Sequence, residues 1–106
     1  MIEIKKYLNG ITVSGHAGYG IKGSDIVCAA ISTLTETLVE SLYQLSLTEI
    51  EDVRGDGMIR IRFKSEPTDT AELLIGSFFI GCEGVADTYP NHVRVEKINE
   101  AIRPNM

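Results

Sequence analysis

Cys28 and His16 are the residues of this 106-residue chain best suited to covalent chemistry. A thiolate is a strong nucleophile, and an imidazole brought beside it can hold it as an ion pair and later protonate a leaving amine. The two flank the run Ala17-Gly18-Tyr19-Gly20-Ile21-Lys22-Gly23-Ser24, and the stretch from Gly15 to Gly23 holds four glycines in nine positions, a mobile loop by composition. Asp25 stands three residues before Cys28, hence on nearly the same helical face. Beside a thiolate a bare carboxylate opposes ionisation, so its productive use is to orient or charge-stabilise His16, as the third member of a triad does. A cysteine early in a helix meets the positive end of the helix dipole, which favours the thiolate, and the amides there offer an oxyanion site. The same residues support a plainer reading. Free cysteine is among the most buried residue types, and Cys28-Ala29-Ala30 also suits small side chains packed where a helix meets a sheet.

The other candidates are weaker. Cys82 lies mid-helix among Phe78, Phe79, Ile80 and Val85 and reads as core. His92, after Pro90-Asn91, reads as a surface or strand-edge residue. Tyr19 is either a solvent-facing loop tip or an aromatic lid over a substrate groove. Gly18-Tyr19-Gly20-Ile21-Lys22-Gly23 matches G-x-G-x-x-G, the fingerprint of a pyrophosphate cradle. Its context fails: the preceding strand ends near Ser14, no second βαβ unit follows, and no acidic residue closes a following parallel strand. Two cysteines and two histidines without a CxxC spacing make no metal site.

Hydrophobic patterning supplies the elements that position these groups. Ile2 and Ile4 alternate with Glu3 and Lys5, Asn9-Gly10 signals a hairpin turn, and Ile11 to Ser14 returns as a second strand. Ser24 reads as the N-cap of a long helix, with Asp25 in its first turn. Val27, Ile31, Leu34, Leu38, Leu42 and Leu45 make its apolar stripe, which fades by about residue 47. Strands over 49–53 and 58–63 flank Asp56-Gly57, a second hairpin turn. A helix over about 71–86 follows, carrying Gly76, Gly81 and Gly84 where another helix or a second subunit approaches closely. Tyr89-Pro90-Asn91 ends it, and Val93 and Val95 form a last strand. The order ββαββαβ predicts one compact α+β domain over residues 1–106, an antiparallel or mixed sheet with two helices.

Composition narrows the function classes. Ten Lys and Arg against fifteen Asp and Glu leave a net charge of −5, which speaks against a phosphate-reading surface. No run reaches the roughly 18 consecutive apolar residues of a spanning helix. Met1-Ile2-Glu3-Ile4-Lys5-Lys6 alternates and lacks the apolar region of a secretory signal, so a cytoplasmic location is expected.

Gly15-His16-Ala17-Gly18-Tyr19-Gly20, followed by Gly23-Ser24-Asp25-Ile26-Val27-Cys28-Ala29-Ala30-Ile31-Ser32, closely resembles the signature of the ribosomal-processing cysteine protease family Prp: GHA, a glycine-rich spacer, then D-x-VCAA-x-S. The resemblance implies a small homodimeric endopeptidase that removes the N-terminal extension of a bacterial large-subunit ribosomal protein, the twenty-seventh, during ribosome assembly. It implies cleavage after an aromatic residue, with no metal or organic cofactor and no direct nucleic-acid or membrane partner. By position, it makes Cys28 the nucleophile, His16 the general base and acid, Asp25 the supporting carboxylate, and residues 17–24 the loop that orders over the substrate peptide. The competing class is a non-catalytic ribosome-associated binding module in which Cys28 and His16 serve structure.

Overall fold

Residues 1–21 and 23–103 are described by the structure, a computed structural model. Seven elements follow the expected order: β1 (Ile2–Tyr7), β2 (Gly10–Ser14), α1 (Ile26–Leu45), β3 (Ile50–Gly55), β4 (Met58–Phe63), α2 (Asp69–Thr88) and β5 (Val93–Lys97). The strands form one sheet in the order β3-β4-β2-β1-β5. Every pairing is antiparallel except β1 with β5, where Ile2 faces Val93 and Ile4 faces Val95 in parallel register. The sheet is therefore mixed, and the crossover through α2 is what returns β5 beside β1.

The first hairpin turns one residue earlier than the Asn9-Gly10 signal predicts. Leu8 and Asn9 make the turn, and Gly10 already pairs with Tyr7 inside β2. Gly10 is required there for close approach: a Cβ would stand 2.3 Å from the Ile61 carbonyl oxygen and 2.6 Å from Ile102 Cδ1. Asn9 ties down the C-terminal segment, its Oδ1 accepting from the Ile102 amide at 2.7 Å.

One core joins the layers. Ile2, Ile4, Ile11 and Ile61 from the sheet meet Val27, Ile31, Leu38 and Leu42 from α1, with Ala71, Ile75, Phe78 and Cys82 from α2. Alternation along the strands sends Glu3, Lys5, Arg60, Arg62 and Arg94 to the opposite face, where Arg62 pairs with Glu51 at 3.3 Å. Of the expected α1 stripe, Leu34 is half-buried and Leu45 is exposed, because the helix stops at Leu45. Ser46 is extended, donates from Oγ to the Leu42 carbonyl at 2.8 Å and so closes the last turn. Although it holds no unbroken apolar run, α1 is long and apolar enough, by length and mean composition alone, to cross a membrane. In this fold its apolar stripe is spent on the core, which such a composition serves equally well. Gly81 admits α1 as expected, since a Cβ there would lie 2.8 Å from Leu34 Cδ2, whereas Gly76 and Gly84 face open space.

Candidate active site

The site is organised by the carboxylate of Asp25. Asp25, rather than Ser24, is the N-cap of α1: its Oδ1 accepts from the amides of Val27 and Cys28, each at 3.0 Å. Ser24 instead donates from Oγ to the Ile21 carbonyl at 3.2 Å. Aspartate and serine cap helices about equally well, so local preference leaves the start of the helix open by one residue. Cys28 consequently occupies the third position of the helix.

The second oxygen of Asp25 reaches back across the loop, accepting from the amides of Tyr19 at 3.0 Å and Gly20 at 3.1 Å. One buried carboxylate thus clamps the helix start and the glycine run together. The Cys28 amide leads the bonds that hold the Asp25 carboxyl below its usual range, those from Gly20, Tyr19 and Val27 add to it, and burial opposes them. One sequence expectation changes as a result, and a reading already set aside loses its remaining support. The Val27 and Cys28 amides are committed to Asp25, and the Ala29 amide to the Asp25 carbonyl at 3.0 Å, so these three are not open oxyanion donors. The pyrophosphate reading loses its donors for the same reason, and a carboxylate stands where the phosphate would sit.

Cys28 is half-buried, and its Sγ accepts a hydrogen bond from the Ala17 amide at 3.3 Å. His16 precedes that amide, at the end of β2. Gly15, in the left-handed region with φ +96°, donates its N–H to the Gly57 carbonyl at 2.8 Å, which fixes the strand end against the β3–β4 turn. The imidazole of His16 lies against Gly57, where a Cβ would approach Nε2 to 2.8 Å. Among the described residues the His16 ring has no hydrogen-bond partner, and the Asp25 carboxylate makes no hydrogen bond or ion pair with it. His16 and Cys28 both line two adjoining clefts. One, of about 240 Å³, has Val13, Ile31, Met58 and Ile59 among its walls. The other, of about 540 Å³, runs over Gly18, Gly20, Asp25 and Asp56.

The glycine run is tethered. Ala17 is buried, and its carbonyl lies 2.8 Å from Nδ1 of His92. The Tyr19 ring packs edge-on against Tyr89 and His92, with centroids 5.2 and 5.3 Å away. Tyr19 is therefore an anchor as well as a half-exposed surface group. Lys22, expected as part of the loop, lies outside the described residues. Cys82 is buried as expected, and burial first, with Glu83 adding to it, pushes its thiol up to about 12. His92 and Gly57 are the site residues that sequence reasoning missed. No local signal marks His92, which the β1–β5 pairing brings from 75 positions away. Gly57 is legible as a turn glycine, but not as the wall behind His16.

The family model of the cysteine protease Prp matches residues 1–94. The ribosomal processing cysteine protease Prp of Mycoplasma genitalium is 29% identical over 98 residues, covering 92% of this chain and 96% of the relative. That of Staphylococcus aureus is 27% identical over 88 residues, 80% of this chain and 82% of the relative. Among solved structures, the essential S. aureus Prp with a covalently linked product peptide superposes with a TM-score of 0.88 at 23% identity, covering 92% of this chain and 100% of that one. A Streptococcus mutans protein superposes with a TM-score of 0.71 at 26% identity, covering 93% of this chain and 96% of that one. With a family model spanning most of its length, this chain belongs to the cysteine protease Prp family.

Proposed function

We propose that this chain is a thiol endopeptidase that trims the N-terminal extension of the twenty-seventh large-subunit ribosomal protein during ribosome assembly, acting in the cytoplasm as a homodimer. The observation that carries the proposal is the cleft shared by Cys28 and His16, with a backbone N–H already directed at Sγ. The names of the M. genitalium and S. aureus relatives, and the peptide-bound S. aureus structures, support the substrate class. The apolar walls of the smaller cleft suit an aromatic side chain next to the scissile bond. The net charge of −5 suits a basic substrate tail, which it would steer inward. On α2, exposed Leu73 and Ile80 beside the open Gly76 and Gly84 offer a face for a second copy.

The chemistry balances with these groups alone. The Cys28 thiolate attacks the scissile carbonyl, the C–N bond breaks, and His16 as imidazolium passes its proton to the departing amine. Neutral His16 then takes a proton from water, whose hydroxide displaces Cys28 from the thioester and releases the acid. Purified protein and its Cys28→Ala variant, mixed with a peptide spanning the ribosomal protein's N-terminal extension, test this by mass spectrometry. A single cut after an aromatic residue, absent from the variant, is the expected result. No cut by folded, reduced protein leaves the binding-module reading in its place.

Gly57→Ala should disturb the reaction through His16. The new methyl group displaces the imidazole, and φ +65° is left-handed backbone in which alanine is strained. The expected loss in kcat/KM is about tenfold or more, since small displacements of a reacting group cost that much. Gly55→Ala is the control, because it meets no atom within 4 Å and its φ is not positive. Equal activity of the two variants would show that His16 does not depend on the β3–β4 turn.

A further inference from the structure

His92 belongs to the same site by geometry, although neither the sequence motif nor the proposed chemistry uses it. Its backbone is firmly mounted: the amide donates to the Tyr89 carbonyl at 3.0 Å, and the carbonyl accepts from the Ile2 amide at 2.9 Å. From that mount Nδ1 stands 2.8 Å from the Ala17 carbonyl oxygen. A carbonyl only accepts, so Nδ1 carries the proton and donates, as it can in the Nδ1–H neutral tautomer and in the imidazolium alike. Ala17 is held on both sides: its N–H points to Cys28 Sγ at 3.3 Å and its C=O is bonded by His92. The next residue, Gly18, sits at φ +70° with no atom of the described residues within 4 Å of where its Cβ would be. Nothing in Gly18 itself resists rotation of the Ala17–Gly18 peptide, so the hold on the carbonyl has to come from outside the loop. Tyr19, packed edge-on against the His92 ring, fixes the far side of the same turn.

We propose that His92 is a positioning residue: its hydrogen bond to the Ala17 carbonyl keeps the Ala17 N–H on Cys28 Sγ. The proposal rests on the reading of Cys28 as the nucleophile. A backbone N–H aimed at sulfur stabilises the thiolate over the thiol, and it does so only while the flanking peptides stay oriented.

Three variants separate the hydrogen bond from the bulk of the ring. In His92→Asn the amide nitrogen lies as many bonds from Cβ as Nδ1, so the donor is kept in place. In His92→Gln it moves one bond outward, to the neighbourhood of Nε2. In His92→Leu the bulk stays and the donor is lost. The readouts are the iodoacetamide rate at Cys28, located by mass spectrometry, and kcat and KM separately on the extension peptide, with thermal midpoints as a folding control. His92→Leu and His92→Gln are expected to lower both the alkylation rate and kcat by about tenfold, the worth of one ordinary hydrogen bond, with KM within about twofold. His92→Asn is expected to restore both to within about threefold. Alkylation of Cys28 at the wild-type rate in the Leu variant overturns the proposal, as does an Asn variant that falls as far as Leu. Rapid labelling of wild-type Cys28 with no peptide cleavage removes the proposed substrate but leaves the His92 comparison readable from labelling alone. Labelling of wild-type Cys28 no faster than a free thiol overturns both readings together.

Discussion

Iodoacetamide at neutral pH is expected to label Cys28 and spare Cys82 until the protein unfolds, and Cys28→Ser to lower peptide cleavage by about a thousandfold or more. The two thiols make an internal comparison, because they share one chain and differ in surroundings. Cys28 is half-buried at the third position of α1, lines both clefts and receives an N–H from Ala17. Cys82 has no exposed surface, sits in the core with Ile75 and Phe78, and carries a thiol pushed up to about 12 by burial. At pH 7 almost none of it is thiolate, and reagent cannot reach it. Cys82→Ser should leave cleavage intact and reduce unfolding free energy by about 1–3 kcal/mol, the cost of burying a hydroxyl among apolar groups. Cys28→Ser should do the reverse, because serine is far less acidic than cysteine and the half-exposed site tolerates the smaller atom. Equal labelling of both thiols in the folded state would remove the activated-nucleophile reading. Loss of cleavage in Cys82→Ser without loss of structure would point to the wrong cysteine.

The order of elements was legible because each signal is local. Alternation at Ile2 and Ile4, the apolar stripe of Val27, Ile31, Leu38 and Leu42, and Asp56-Gly57 with its positive φ all act within a few residues of their cause. Where two local preferences compete, one residue is lost. The Asn9-Gly10 pair favours a turn, but the sheet needs Gly10 for close approach to Ile61, and the tertiary demand wins. Ser24 and Asp25 cap equally well, and the helix starts at the one that can also reach Tyr19 and Gly20. Cys28 and His16 stood out by residue type, and the likeness of their flanking residues to the Prp signature, not their spacing, singled them out. The groups behind them were not legible. His92 arrives through the parallel β1–β5 pairing, which no local pattern encodes, and Gly57 meets His16 only because β2 and β4 are neighbours. Long-range register decides both.

Asp25→Asn separates what the carboxylate does for the helix from what it does for the loop. Asparagine is as good an N-cap as aspartate, so one oxygen can still accept from Val27 and Cys28. The other position becomes NH₂, a donor facing the donors of Tyr19 and Gly20, and that half of the clamp must open. Amide exchange at Tyr19 and Gly20 should therefore accelerate in Asp25→Asn while Val27 and Cys28 stay protected; in Asp25→Ala all four should accelerate. Cleavage should fall by roughly tenfold in Asn and about a hundredfold in Ala, following the number of clamped amides lost, because the reacting groups at either end of the loop lose their fixed separation. The pH dependence has a definite sign. The Asp25 carboxyl is held below its ordinary value of 3.8, chiefly by the Cys28 amide, so its contribution to stability is complete above that value and disappears as pH falls through the lower folded-state value. The gap in thermal midpoint between wild type and Asp25→Asn should accordingly be steady above about pH 5 and close below pH 4. A different result follows if the charge acts directly on His16. Exchange at Tyr19 and Gly20 would then match wild type in Asp25→Asn while cleavage still fell, and Asp25 would be a partner of the imidazole rather than the clamp that holds helix and loop together.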